Sequence, residues 1–326
     1  MTFALKPFTQ EDQLLTTMES QIAPFWQQRQ DGFIVGKAGR QIYQVKLTHP
    51  EHTKAVVVVN GRIESAWKYQ ELFFDLFNQG YDVYSFDHRG QGKSDRLIDD
   101  VQMGYVDKFE DYIEDLNSVL SHWNIEGYEH WYMLGHSMGG AIATRYLQQQ
   151  PESSCKGLAL SAPMFGAHVA WYLKPFAIAL SAVIAKLSTK PNYAPGHQPY
   201  YPKPFATNPL SSSQARYTWF RNLYDQMPEL QLGGPSAHWV YQALSASKLC
   251  IDQAKALKTP TLLIQAGSDT IVDNKAHLRF VDQRPETGFI TIASAKHELL
   301  FDVDGVRNQA LEAICDFFHQ RQNQNH

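Results

Sequence analysis

Ser137 stands in the pentapeptide Gly135-His136-Ser137-Met138-Gly139, directly after the apolar run at 131–134 and before the helix-forming stretch 141–147. One serine between two glycines at a strand-to-helix junction suits a nucleophile held on a sharp turn, where side chains two positions either way would strike neighbouring backbone. A serine hydroxyl is a poor nucleophile at neutral pH, so it needs a base to take its proton and an acid to orient that base. The same turn would leave the Met138 N–H at a helix N-terminus, where unpaired donors and the positive dipole end favour an oxyanion. The chemistry this pattern offers is acyl transfer.

An acid and a base stand downstream in a workable order. Asp269 closes "TLLIQAGSD" and His297 follows "TIASAK", so both are expected at the carboxyl ends of strands, where open α/β sheets place their ligands. Asp273 is a rival acid four residues on, whereas His88 and His136 precede the acid and fit the order less well. Upstream, "VVVVNGRIES" supplies a second oxyanion donor: Gly61 lets the backbone turn and the Arg62 N–H can face the developing charge, unless the stretch is an ordinary Asn-Gly turn with a solvated arginine. The glycine-rich "FDHRGQGKSD" lacks the spacing of a phosphate loop and reads as a structural turn in which Asp87 and Arg89 brace neighbouring loops.

These residues need a frame to hold them, and periodicity supplies it. Apolar runs at 40–49, 54–61, 81–87, 130–134, 157–163, 259–269 and 288–294 read as strands, with helical patterns at 67–79, 107–124, 138–149 and 305–320 between or after them. Strands alternating with helices predict βαβ units and a mostly parallel sheet flanked by helices. The rhythm breaks from about 165 to 250, a stretch rich in Trp, Tyr and Pro and too long for a structureless loop. The expected organisation is a core domain of 1–164 and 251–326 with an inserted, mainly helical cap at 165–250, above one edge of the sheet.

With 326 residues, 44% of them hydrophobic and 19% charged, the chain falls in the globular class and can bury a large core. A net charge of −4 gives no global basic field, so nucleic acid is not an expected partner. Cys155, Cys250 and Cys315 are isolated, which offers neither a disulfide framework nor zinc-ligand spacing. Without a signal-like N-terminus, the expected location is the cytoplasm. The longest apolar segment, 175–187, is short for a membrane span and reads as a buried or interfacial helix, a possible greasy entrance for a lipid.

Taken in order, "NGRIES", "DHRGQGKSD", "GHSMGG", "SAPMFG", "GGPSAHWV", "IVDN" and "HELLFD" resemble the α/β-hydrolase family, and within it the bacterial lysophospholipases related to monoacylglycerol lipases. The resemblance runs over about residues 55–320. It implies the α/β-hydrolase fold with a cap, Ser137 as nucleophile, Asp269 as acid, His297 as base, and the Arg62 and Met138 N–H groups as the oxyanion hole. It implies a lysophospholipid or monoacyl lipid substrate cleaved at its carboxyl ester, no metal or organic cofactor, and a peripheral place on the inner membrane; no protein partner follows from it. A monoacylglycerol lipase or broad carboxylesterase would use the same machinery, while a non-catalytic lipid-binding relative would be expected to lack a triad member. For a phosphate-bearing head group, the expected readers are Arg216 and Arg221 in the cap, with Trp219 between them, or Arg62 at the pocket floor.

Overall fold

The computed structural model describes residues 5–167 and 190–322, and the 175–187 segment therefore lies outside the described residues. Among the described residues the strands form one eight-stranded sheet in the order β1-β2-β4-β3-β5-β6-β7-β8. They are β1 (Gln30–Val35), β2 (Gln41–Leu47), β3 (Lys54–Val59), β4 (Tyr81–Phe86), β5 (His130–His136), β6 (Gly157–Ser161), β7 (Thr261–Ala266) and β8 (Gly288–Ile292). From β4 through β3 to β8 all pairings are parallel, and only β1 and β2 add antiparallel at one edge. The first strand was not expected: its apolar run, Phe33 to Val35, is only three residues long, and Phe33 and Val35 are exposed.

The central strands show why such runs become parallel strands. Val56, Val57, Val58 and Val59 of β3 are wholly buried because helices cover both faces of the sheet, and each valine contributes roughly 1.5–3 kcal/mol by leaving water. The main helices are α1 (Gln70–Asn78), α2 (Phe109–Trp123), α3 (Met138–Gln149), α4 (Gln214–Gln226), α5 (Ala237–Asp252), α6 (Asn274–Gln283) and α7 (Asp304–Gln322). Helical turns between Glu11 and Trp26 precede them.

Helices α4 and α5 belong to the insertion between β6 and β7. Those strands are neighbours inside the sheet, so the insertion rises from its carboxyl ends and not from a lateral edge. Each helix is started by a serine: Ser213 Oγ accepts from the Arg216 N–H at 3.1 Å and Ser236 Oγ from the Trp239 N–H at 3.0 Å. Helix α4 builds a small core of its own from Tyr217, Phe220, Tyr224 and Leu230. Helix α5 instead buries Trp239, Ala243, Ala246 and Cys250 in the main core. Among the described residues no helix is long and apolar enough to cross a membrane.

Candidate active site

Ser137 stands between β5 and α3, at the helix N-cap, with φ 51° and ψ −118°, a conformation that L-residues rarely adopt. Neighbouring backbone holds it there: the Ser137 N–H donates to the Ser161 carbonyl at 3.1 Å, and the Ser137 carbonyl accepts from Met164 at 2.9 Å and Gly140 at 3.0 Å. The flanking glycines are required by close approach. A Cβ on Gly139 would lie 2.0 Å from the Val59 carbonyl oxygen, and one on Gly135 would lie 2.7 Å from the Gly140 Cα. The elbow is thus seated against the end of β3, where the "NGRIES" loop begins.

The three residues expected to act together are brought together. Ser137 Oγ lies 2.9 Å from His297 Nε2, and His297 Nδ1 lies 2.7 Å from Asp269 Oδ2. With the ionised Asp269 as acceptor, the hydrogen sits on Nδ1 and leaves Nε2 free to receive the serine proton. Asp269 Oδ1 accepts from the Ile271 N–H at 2.7 Å and the Val272 N–H at 3.1 Å, which fixes the carboxylate plane. Burial by itself would raise this carboxyl, but the His297 contact and those two N–H donors hold it below its ordinary value.

The rivals have other tasks. Asp273 caps α6, accepting from the Lys275 N–H at 3.1 Å. His136 is turned onto the Ser161 carbonyl and His88 onto the Asn60 carbonyl, and burial pushes both down to about 4. Asp87 and Arg89 brace loops as expected. Asp87 takes the Ala66 and Lys93 N–H groups, while Arg89 grips Asp115 with two nitrogens and reaches the Lys37 carbonyl.

Around Arg62 the loop is braced so that one N–H has no acceptor among the described residues. The Gly61 N–H donates to Glu64 Oε2 at 2.6 Å and the Ile63 N–H to Gln91 Oε1 at 3.3 Å, and neither contact uses the Arg62 N–H between them. Ile63 has φ 61°, a costly conformation for a β-branched residue, and the Tyr224 hydroxyl from α4 holds its carbonyl at 2.7 Å. Met138 opens α3, so its N–H is one of those a first turn leaves without a helical acceptor.

A buried charge cluster under this loop was not anticipated. Lys68 Nζ lies 2.8 Å from Glu64 Oε1 and 2.7 Å from Glu298 Oε1, and the rings of Phe220 and Phe301 cover it at 4.6 and 4.5 Å. Burial pulls the ammonium down, yet the two carboxylates outweigh it and leave Lys68 above its ordinary value. The sequence did carry a trace of this cluster, in the i,i+4 spacing of Glu64 and Lys68 and in Glu298 directly following His297.

Of the cap residues expected to read a head group, Arg216 is committed to the scaffold, while Arg221 and Trp219 pack against aromatic and apolar neighbours. Arg216 is 2% exposed and is committed to Glu71, Asp304 and the Asp302 carbonyl, at 2.9, 2.8 and 2.8 Å, so its fork faces the core and not a substrate. Arg221 lies across the rings of Phe220 and Tyr217 at 4.6 and 4.9 Å. Trp219 packs between the α4 core and the N-terminal cluster of Leu14, Met18 and Ile22. Helical spacing brought these side chains to mind as a group but could not say which way α4 would turn them.

Residues 50–304 match the family described as serine aminopeptidase, S33 (Hydrolase_4). Lysophospholipase L2 of Escherichia coli (strain K12) is 37% identical over 320 residues, covering 96% of this chain and 94% of that protein. A probable lysophospholipase L2 of Haemophilus influenzae is 32% identical over 303 residues, covering 92% and 95%. The crystal structure of a soluble variant of monoglyceride lipase from Saccharomyces cerevisiae, in complex with a substrate analog, superposes with a TM-score of 0.71 at 20% identity, covering 90% of this chain and 94% of that one, and shows the shared fold.

Proposed function

Because the chain belongs to the serine aminopeptidase S33 (Hydrolase_4) family, we propose that it is a serine hydrolase cleaving the carboxyl ester of lysophospholipids, through an acyl-enzyme on Ser137. The observation that carries the reading is the unbroken relay from Ser137 Oγ to His297 Nε2 at 2.9 Å and from His297 Nδ1 to Asp269 at 2.7 Å. The substrate class rests on the similarity, over nearly the whole of both chains, to proteins named lysophospholipase L2.

In the proposed mechanism His297 Nε2 takes the Ser137 proton as Oγ attacks the ester carbonyl. The Arg62 and Met138 N–H groups receive the resulting oxyanion, each donor being worth on the order of 3 kcal/mol. Collapse expels the glycerophospho-alcohol, protonated by His297. Water, activated by the same imidazole, then releases the fatty acid from Ser137. Asp269 keeps the imidazole oriented and stabilises its charged form. The reaction as written draws on side chains and backbone alone.

A fluorophosphonate should label Ser137, and Ser137→Ala should abolish both labelling and hydrolysis, on the order of 10⁶-fold in kcat. An unlabelled intact protein would sink the mechanism. Comparing lysophosphatidylcholine with monoacylglycerol of the same acyl chain tests the substrate. Hydrolysis of the monoacylglycerol alone would transfer the assignment to a monoacylglycerol lipase.

A further inference from the structure

Buried arginines in this protein are generally neutralised. Arg89 faces Asp115, Arg216 faces Glu71 and Asp304, and Arg307 faces Asp75. Among the described residues, Arg145 is held by the Gln148 and Gln253 amide oxygens without an acid, and the partly buried Arg62 has not even such amide partners. Among the described residues its guanidinium makes one hydrogen bond, from Nη1 to the Gly233 carbonyl at 3.0 Å, and no ion pair. Residues 1–4, 168–189 and 323–326, the remainder of the chain, contain no Asp or Glu side chain that could supply one.

Its surroundings fix the group without satisfying it. The Trp239 ring lies 5.3 Å from the guanidinium carbon, and Gly104 approaches so closely that a Cβ there would come within 3.1 Å of Nη1. The nearby groups that act on it electrostatically are the Tyr112 phenol and the imidazole of His197, neither of them an acid at neutral pH. Burial weakens its hold on the proton to about 10, which still leaves it charged at neutral pH. Yet the residue is only partly buried, so the remaining donors can be reached. A cation held in a low-dielectric wall without a counter-charge, but accessible, is an anion site awaiting its anion.

We infer that the Arg62 side chain binds the phosphodiester of the lysophospholipid head group while its own backbone N–H faces the ester oxyanion. The inference rests on the proposed lysophospholipid activity. One residue then contacts both ends of the glycerol unit, the reacting carbonyl through its main chain and the phosphate through its side chain. The phosphate oxygens take the guanidinium donors that Gly233 leaves unused, and Trp239 and Gly104 keep the group in place. The same arginine disfavours a substrate with a bare hydroxyl there, since that hydroxyl leaves the partly buried cation uncompensated. Arg62 thereby takes the task that Arg216 is too committed to perform.

The test is the ratio of kcat/KM for lysophosphatidylcholine to kcat/KM for monoacylglycerol of the same acyl chain. A ratio cancels any disturbance of the oxyanion loop common to both substrates. In Arg62→Met it should fall about 10- to 100-fold, as expected for losing hydrogen bonds to a charged group, and Arg62→Lys should recover part of it. An unchanged ratio in Arg62→Met overturns the inference. The unsubstituted protein gives a reading that needs no variant: glycerophosphocholine should inhibit monoacylglycerol hydrolysis at concentrations where glycerol does not, and equal inhibition by the two overturns it as well. Failure of the unsubstituted protein to cleave lysophosphatidylcholine would remove the proposed substrate, which is distinguishable from active cleavage with an unchanged ratio.

Discussion

Lys68 joins two loops that must stay in register. Through Glu64 it steadies the Gly61 N–H and so the turn that presents Arg62, and through Glu298 it reaches the residue next to His297. Replacing it with methionine would leave two carboxylates in a buried site with no cation. Lys68→Met should therefore lose about 3–5 kcal/mol, read as a lower urea midpoint. The triple variant Glu64→Gln, Lys68→Met, Glu298→Gln should regain part of that loss, because no unpaired charge remains. A single variant as stable as the parent would show that the cluster is solvated and not structural.

At the scale of elements, the α3 elbow and the end of β3 are fitted with no space between them. Gly139→Ala places a methyl against the carbonyls of both Val59 and Asn60, which are main-chain atoms and cannot swing aside. The variant should lose fluorophosphonate labelling by more than tenfold, or fail to fold, whereas Gly305→Ala, in open space at the start of α7, should keep both. Normal labelling of Gly139→Ala would refute the tight seating. Contacts of this kind explain what could be read from the amino-acid order. Ser137 and Asp269 follow buried strands and His297 follows β8, which is largely exposed but still apolar in sequence, and a strand's end is fixed by a short apolar run, so their neighbourhood was legible. The partners of Arg216 were not. Glu71 lies 145 residues away and Asp304 88, and no local pattern records which helix face will meet them. β1 escaped because its apolar run, Phe33 to Val35, is only three residues long and follows a polar start.

For the molecule as a whole, buried histidines set an acid limit. His88 donates from Nε2 to Asn60 and its Nδ1 has no partner among the described residues, so a second proton would place a poorly compensated charge in the core, with the Glu64 carboxylate giving only partial relief. His88 and His136 both fall from an ordinary 6.5 to about 4 in the folded protein. The unfolded chain then binds more protons than the folded one between about 4 and 6.5, and stability rises with pH across that window. Each histidine contributes at most roughly 1.4 kcal/mol per pH unit there. Asp87 works in the other direction: burial pushes it up to about 6, so its contribution declines as pH rises toward that value. Asp115 is raised as well, but His52, His197 and His277 are lowered alongside His88 and His136, so the histidines outnumber the carboxyls and leave a net loss of stability on acidification. Urea midpoints should drop from pH 7 to pH 5, and His88→Gln, which can still donate to Asn60, should flatten the slope. An unaltered slope would show that His88 titrates alike in both states.

The Arg216 junction also bears on how such enzymes can be recombined. Its guanidinium on α4 ties together α1 through Glu71, the start of α7 through Asp304, and the N-terminal segment through the Thr9 carbonyl. The insertion is consequently no interchangeable module. A chimera that imports another protein's insertion without an arginine at this place leaves Glu71, among the described residues, with only the more distant Arg307 and Asp304 with only the Glu11 N–H, so exchange of substrate range by grafting has to carry the scaffold side of the joint along with the graft.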